Sequence, residues 1–231
     1  MRIGFYLTVY RDEIWAYRMV KQINQLYPDA PVLVITDGPA HLAAFEELNV
    51  TLLPYEIRLK VFGNGGHYSQ RNMVAALGMA ESYKLHTVFK VDPDSYLWRT
   101  FNYYPDAQWF GNVYTRTFPK LGELTFCAGG CFGMRTPVLK SLVDSELLLD
   151  EKLYTEEIAY PRYSSKVYAK PGDTERSREL ILNDDLAIGW AMTQVGVVPE
   201  MWNEVELKQN GELIQQLPYR YAVTHPVRTL P

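Results

Sequence analysis

The sequence predicts an α/β protein built on an open, largely parallel sheet, because short apolar runs alternate with amphipathic stretches throughout its first half. Two of those runs, Val32-Leu33-Val34-Ile35 and Thr87-Val88-Phe89-Lys90-Val91, are near-continuous, the pattern of strands covered on both faces. Each run stops at a turn-forming segment, Thr36-Asp37-Gly38-Pro39 and Asp92-Pro93-Asp94 respectively.

Arg2 to Val9 reads as the first strand. Asp12-Glu13 then opens a helix to about Tyr27, with Ile14, Tyr17, Arg18, Val20, Ile23 and Leu26 near helical spacing, and Pro28 ends it. After the strand at Val32 to Ile35 come a helix from about Ala40 to Leu48, a strand at Thr51 to Leu53 and a helix at His67 to Tyr83. The last of these turns Met73, Leu77 and Ala80 inward. With the strand at Thr87 to Val91 this makes β-α-β-α-β-α-β, which implies right-handed crossovers. Beyond Trp98 the pattern loosens to α+β: short strands at Trp109 to Thr115 and Cys127 to Met134, and helices from Pro137 to about Val143 and from Asn183 to Gln194. Ile158 to Arg178 has a loop-like composition too long for a mere connection, and is expected to be a mobile active-site flap.

At 231 residues, 47% of them apolar, the chain is long enough for one substantial core, so one domain spanning 1–231 is expected. A net charge of -4 and a pI of about 5.6 leave no overall footprint for a polyanion, which argues against nucleic acid as a partner. No run approaches the roughly 20 apolar residues of a membrane span, and Met1 to Leu7 is too short for a signal peptide; a cytoplasmic location is expected. The two cysteines, Cys127 and Cys131, are too few for a disulfide framework or a four-ligand zinc site and read as buried thiols.

In open α/β sheets ligands bind outside the carboxyl ends of the strands, a rule that selects Thr8 to Arg11, Thr36-Asp37 and Asp92-Pro93-Asp94. Asp92 and Asp94 flank a proline that fixes φ, giving a rigid pair of oxygen donors suited to Mg²⁺ or Mn²⁺. Asn183 is a good N-cap, with Asp184 and Asp185 in the first turn favoured by the helix dipole; alternatively, one of these carboxylates is a general base. Gly129-Gly130 is a tight turn or bulge, or a place where backbone approaches a ligand closely. Gly63-Asn64-Gly65-Gly66 has no following Lys-Ser/Thr, so it is not a P-loop. Trp98, Trp109, Trp190 and Trp202 are core residues or stacking platforms for sugars.

Asp92-Pro93-Asp94-Ser95-Tyr96-Leu97 resembles the metal-binding motif of GT-A fold glycosyltransferases, most closely the Asp-Asp-Asp-Thr-Tyr-Val version of Fringe and related β-linked galactosyl- and N-acetylglucosaminyltransferases. Further matches follow in order. Ala128-Gly129-Gly130-Cys131-Phe132-Gly133 is similar to that family's Gly-Gly-Ala-Gly segment, Asp184-Asp185-Leu186-Ala187-Ile188-Gly189 to its Glu-Asp-Val-x-x-Gly or Asp-Asp-x-x-x-Gly motif, and His225-Pro226 to its late Phe-His-Pro. The resemblance implies a GT-A-like, Rossmann-like mixed sheet flanked by helices, with 1–98 as the nucleotide-binding half and 99–231 as the acceptor-binding half. It implies Mn²⁺ (or Mg²⁺) held by Asp94, Asp92 and His225, Asp185 as catalytic base, and Asp184 on donor or acceptor sugar. Arg71 resembles the basic residue that many such enzymes direct at the nucleotide or diphosphate. Thr8, Tyr10, Arg11 and Asp37 are candidate nucleotide contacts, and Gly129 and Gly130 would lie beneath donor sugar or acceptor.

The implied substrates are a nucleotide-sugar donor, UDP-linked by resemblance, and a glycan or glycoconjugate acceptor. Pro93 departs from the family by replacing its middle Asp and removing one carboxylate. A nucleotidyltransferase of similar topology and a non-catalytic sugar- or nucleotide-binding domain remain the alternatives.

Overall fold

The chain runs β1 (Ile3–Val9), α1 (Glu13–Leu26), β2 (Val32–Thr36), a 3₁₀ turn at Ala43–Glu47, β3 (Thr51–Leu53), α2 (Gly65–Tyr83), β4 (Thr87–Val91) and β5 (Tyr96–Leu97). It continues through β6 (Trp109–Phe118), β7 (Gly122–Arg135), α3 (Thr136–Ser145), β8 (Tyr160–Pro161), β9 (Leu180–Ile181), α4 (Asp184–Gln194), β10 (Glu200–Met201), β11 (Val205–Leu207) and β12 (Val223–His225). The computed structural model describes residues 1–10, 12–59, 65–118, 122–150, 160–161, 180–181, 184–207 and 221–225. None of the described helices is long and apolar enough to cross a membrane.

Seven strands pair in the order β10-β6-β7-β4-β1-β2-β3, a mixed sheet flanked by helices. The expected parallel succession holds for β1 to β4. It then stops, because β7 runs antiparallel to β4 and forms a hairpin with β6. Both hairpin strands are also longer than the short ones expected. From β1 the chain moves outward through α1 to β2 and β3, then returns through α2 to β4 on the other side of β1. That reversal puts the topological switch point, where open α/β sheets bind ligands, at the carboxyl ends of β1 and β4.

The predicted helix at Ala40 to Leu48 is a 3₁₀ turn instead. Leu42, Phe45 and Leu48 recur every third residue, which suits three residues per turn, and Phe45 is the buried one. Tyr160–Pro161 pair antiparallel with Leu180–Ile181; the rest of the expected flap, 158–159 and 162–178, lies outside the described residues.

Alternation along the strands divides the core in two. Phe5, Leu7 and Val9 join Ala16, Met19 and Ile23 of α1 on one face. Tyr6 and Val88 face α2, α3 and α4 on the other. Trp109 and Trp202 are fully buried and Trp190 nearly so, which makes these three core residues. Trp98 is half-buried, and its indole donates to Thr224 Oγ1 at 2.9 Å.

Helix α4 is buried on nearly every side, packed between β7 and α2. Its approach to the sheet depends on Gly189: a Cβ there would lie 2.5 Å from Cβ of Phe126. In an exposed helix Gly→Ala stabilises by about 1 kcal/mol. Here the clash reverses the sign, so Gly189→Ala should destabilise by about 1–3 kcal/mol in urea unfolding. A stabilised variant would show that α4 does not lie this close to β7.

Candidate metal and carboxylate site

The site starts where β4 ends. Val91 pairs with Cys131, so the next rung of that antiparallel ladder sets Asp92 opposite Gly130. Asp92 N donates to the Gly130 carbonyl at 2.8 Å, while Gly130 N donates back to Asp92 Oδ2 at 2.8 Å; a side-chain oxygen takes the place a backbone carbonyl would hold. Strand β7 reaches that far only because it leaves β6: Gly111 pairs with Phe132 but Asn112 pairs with Ala128, so 129–131 bulge away from β6 and stay with β4. Gly130 sits at φ +90°, a conformation L side chains rarely adopt, which explains the glycine. The Gly129-Gly130 segment is therefore a bulge, and its observed partner is the Asp92 turn.

The turn is pinned from behind. Ser95 N donates to the Asp92 carbonyl at 3.0 Å, and Arg18 of α1 donates to the Ser95 carbonyl at 2.8 Å. The Arg18 guanidinium lies over the rings of Trp15 and Tyr96.

His225 arrives from the far end of the sequence through sheet register. Val223 pairs with Leu97 and Thr224 with Tyr96, which leaves His225 opposite Ser95. Its Nδ1 lies 3.1 Å from Ser95 Oγ and 3.2 Å from Asp94 Oδ1, while Nε2 lies 3.9 Å from Asp92 Oδ2. Ser95 Oγ donates its one hydrogen to the Gly130 carbonyl at 3.0 Å, and a carboxylate only accepts. Both neighbours of Nδ1 are thus acceptors, so hydrogen-bond accounting puts the hydrogen on Nδ1 and the neutral ring's lone pair on Nε2. Asp92, Asp94 and His225 each offer one donor atom within 4.8 Å of the others. Two carboxylate oxygens and an imidazole nitrogen, all part-buried, fit a divalent cation such as Mn²⁺ or Mg²⁺.

Lys90 is a residue of this cluster that its sequence pattern did not single out. On β4 it falls on the Val88 face, the side of α2 and α4, and is buried. Its Nζ lies 2.6 Å from Asp92 Oδ1 and 3.8 Å from Asp185 Oδ1. Burial opposes the ammonium charge, but Asp92, Asp185 and Asp184, in that order, outweigh it and hold the lysine pKa well above its ordinary value. The available signal was a charged residue inside an otherwise apolar buried strand. Asp184 is buried and Asp185 keeps some exposure at the start of α4; Asn183 lies outside the described residues. Cys127 and Cys131 are buried, and burial pushes both thiols well up, so they are inert.

The candidate nucleotide residues gather at the ends of β1 and β2. Asp37 N donates to the Val9 carbonyl, and its carboxylate accepts from Leu59 N at 2.8 Å and Arg71 at 2.9 Å. Arg71 also donates to the Ile57 carbonyl and covers the ring of Tyr55. Arg58 lies 3.4 Å over the ring of Tyr10. Tyr10, Asp37 and Arg71 are thus one cluster that fixes the 55–59 segment, and Thr8 is half-buried on β1. Arg11 lies outside the described residues.

Asp12, just before α1, also belongs to this end of the sheet. Its Oδ1 accepts from Tyr10 N at 2.7 Å, yet burial raises its pKa from 3.8 to about 6, with Asp94 adding to the rise. Below pH 4 this group favours the folded state; as pH rises through 6 that contribution is lost, because the fold then holds a charge that water would solvate better. Asp12→Asn should therefore stabilise the metal-free protein by about 1 kcal/mol at pH 7.5, discounted for partial exposure, and progressively less toward pH 4. Thermal melts across that range test it, and a gain independent of pH would contradict the assignment.

No protein-family model matches the chain, and no curated protein matches it in sequence.

Proposed function

We propose that the chain is a metal-dependent glycosyltransferase of the GT-A type, which transfers a hexose or N-acetylhexosamine from a UDP-sugar to a glycan hydroxyl with inversion. The observation that carries this reading is convergence. Asp92, Asp94 and His225 meet at the end of β4, and Lys90 stands between that group and Asp185, although these residues come from three segments far apart in the sequence. A nucleotide-binding half and an acceptor-binding half fit this arrangement, since one sheet is shared between residues before and after 98.

Within this reading the crevice at β1 and β4 receives the donor, with the Tyr10, Asp37 and Thr8 region near the nucleotide. Asp92 Oδ2, a carboxylate oxygen of Asp94 and His225 Nε2 would hold the cation. When bound, that cation supplies Lewis-acid charge stabilisation to the departing diphosphate. Of the two carboxylates on α4, Asp184 is buried and Asp185 partly exposed, which favours Asp185 as the base.

Asp185 takes the proton of an acceptor hydroxyl as that oxygen bonds to the anomeric carbon. The bond from the anomeric carbon to the diphosphate oxygen breaks on the opposite face, and its electron pair leaves with UDP. A base placed in this way contributes roughly 10²–10⁴-fold, and the opposed geometry inverts the anomeric centre. Asp184 then binds donor or acceptor sugar.

The test is UDP release by purified protein supplied with Mn²⁺, a panel of UDP-sugars and candidate acceptors. Release should occur with at least one donor and cease with EDTA; silence with every donor would sink the reading. By calorimetry, Asp94→Ala should lose Mn²⁺-dependent UDP binding. Asp185→Asn should keep UDP·Mn²⁺ affinity within about threefold and lose transfer by roughly 10²–10⁴-fold. An active Asp185→Asn enzyme would move the base elsewhere.

A further inference from the structure

Lys90 is the one buried cation placed between the metal-bearing turn and the base-bearing helix among the described ion pairs. Its two contacts differ in kind. The 2.6 Å contact to Asp92 Oδ1 is a charge-assisted hydrogen bond. The 3.8 Å separation from Asp185 Oδ1 is an ion pair without a hydrogen bond. With Oδ1 engaged by Lys90 and Oδ2 by Gly130 N, Asp92 is fixed at both oxygens and presents only Oδ2 toward His225 Nε2.

Asp184 faces Lys90 from α4 and Tyr6 from β1, the ring of Phe132 of β7 lies 5.7 Å from the ammonium, and Cys131 lies on the other face of the sheet. The buried tyrosine stays neutral, and the Lys90 ammonium interacts with Asp92, Asp184 and Asp185 together. Charges in so dry a place interact far more strongly than on the surface.

We propose that Lys90 is a positioning residue that joins the two working parts of this crevice: its ammonium locks Asp92 into single-oxygen presentation and holds Asp185 as a steered carboxylate at a fixed place beside it. The proposal rests on the glycosyltransferase reading for its catalytic consequence, and on the geometry alone for the Lys90–Asp185 coupling. In the transfer step Asp185 gains the acceptor's proton and loses its charge. Lys90 then keeps Asp92 as its hydrogen-bonded partner, so the ammonium is never left alone in the core. The asymmetry of its two contacts is what permits this. A symmetric salt bridge would hold the base too tightly to accept a proton.

The experiment compares wild type with Lys90→Met and Lys90→Arg, each checked for folding by circular dichroism and thermal melting. Carbon-13 NMR of the aspartate carboxyls in metal-free protein reads the coupling without any turnover. In Lys90→Met the proton affinity of Asp185 should rise at least tenfold, and Lys90→Arg should recover most of the difference. An Asp185 titration unchanged in Lys90→Met overturns the coupling, whatever reaction the protein catalyses. If Lys90→Met does not fold, the same titration in Lys90→Arg decides: an Asp185 carboxyl shifted less than threefold supports a role for the charge, and a shift as large as tenfold overturns it.

For the donor found active, Lys90→Met should lower kcat at least tenfold with KM for the UDP-sugar within threefold, and the acid limb of its kcat profile should move to higher pH. Equal loss of Mn²⁺·UDP binding and kcat would mark Lys90 as a structural prop and overturn the positioning role. A wild type that releases no UDP refutes the glycosyltransferase reading, while the carboxyl titration still decides the coupling.

Discussion

The docking of the Asp92 turn onto the Gly130 bulge is the contact on which the rest of the site depends. A strand end exposes backbone groups that must find partners, and here β7 supplies them one rung beyond the regular ladder. Because the Asp92 carboxylate itself accepts from Gly130 N, the geometry of a candidate ligand is set by backbone pairing and not by a free rotamer. The same Gly130 carbonyl receives the Ser95 hydroxyl, and Ser95 in turn faces His225. Three segments distant in sequence are thereby referred to one glycine.

Rigidity beneath this contact comes from packing. Phe89, one residue before Lys90, has Phe5, Phe101, Phe110 and Trp202 around it at ring-centroid distances of 5.1 to 5.9 Å. Aromatic rings in stacked, tilted and edge contacts tolerate little displacement, so the end of β4 is held from below. On the opposite face α4 lies close on β7 through Gly189, which carries Asp184 and Asp185 to the level of Lys90. Core and site share the same elements, and alternate residues of β4 serve one and then the other.

Electrostatics divides the crevice end of the sheet into two separate clusters. Around Asp37, carboxylate and guanidinium satisfy each other and fix a loop. Around Asp92, among the described residues, the Lys90 ammonium lies beside Asp92 and Asp185, and Asp92, Asp94 and His225 stand close enough together to hold a metal ion.

The sequence by itself determined the local order of the fold: the alternation of β1 to β4 with their helices, the strand-end turn at Asp92-Pro93-Asp94, and the paired carboxylates at the start of α4. Those features are written in periodicities of two and of three to four residues and in turn chemistry, which act over a few neighbours. The 3₁₀ turn at Ala43–Glu47 reads as a longer helix in sequence because Leu42, Phe45 and Leu48 form too short a run to tell a period of three from one of 3.6. Only the tertiary structure decided that β7 runs antiparallel beside β4, that Gly130 bonds Asp92, that His225 stands opposite Ser95, and that Lys90 lies between two carboxylates. Each is a pairing between residues far apart in the chain, selected because it buries the most apolar surface while leaving the fewest backbone groups unsatisfied, and that balance is a property of the whole chain that no local window encodes.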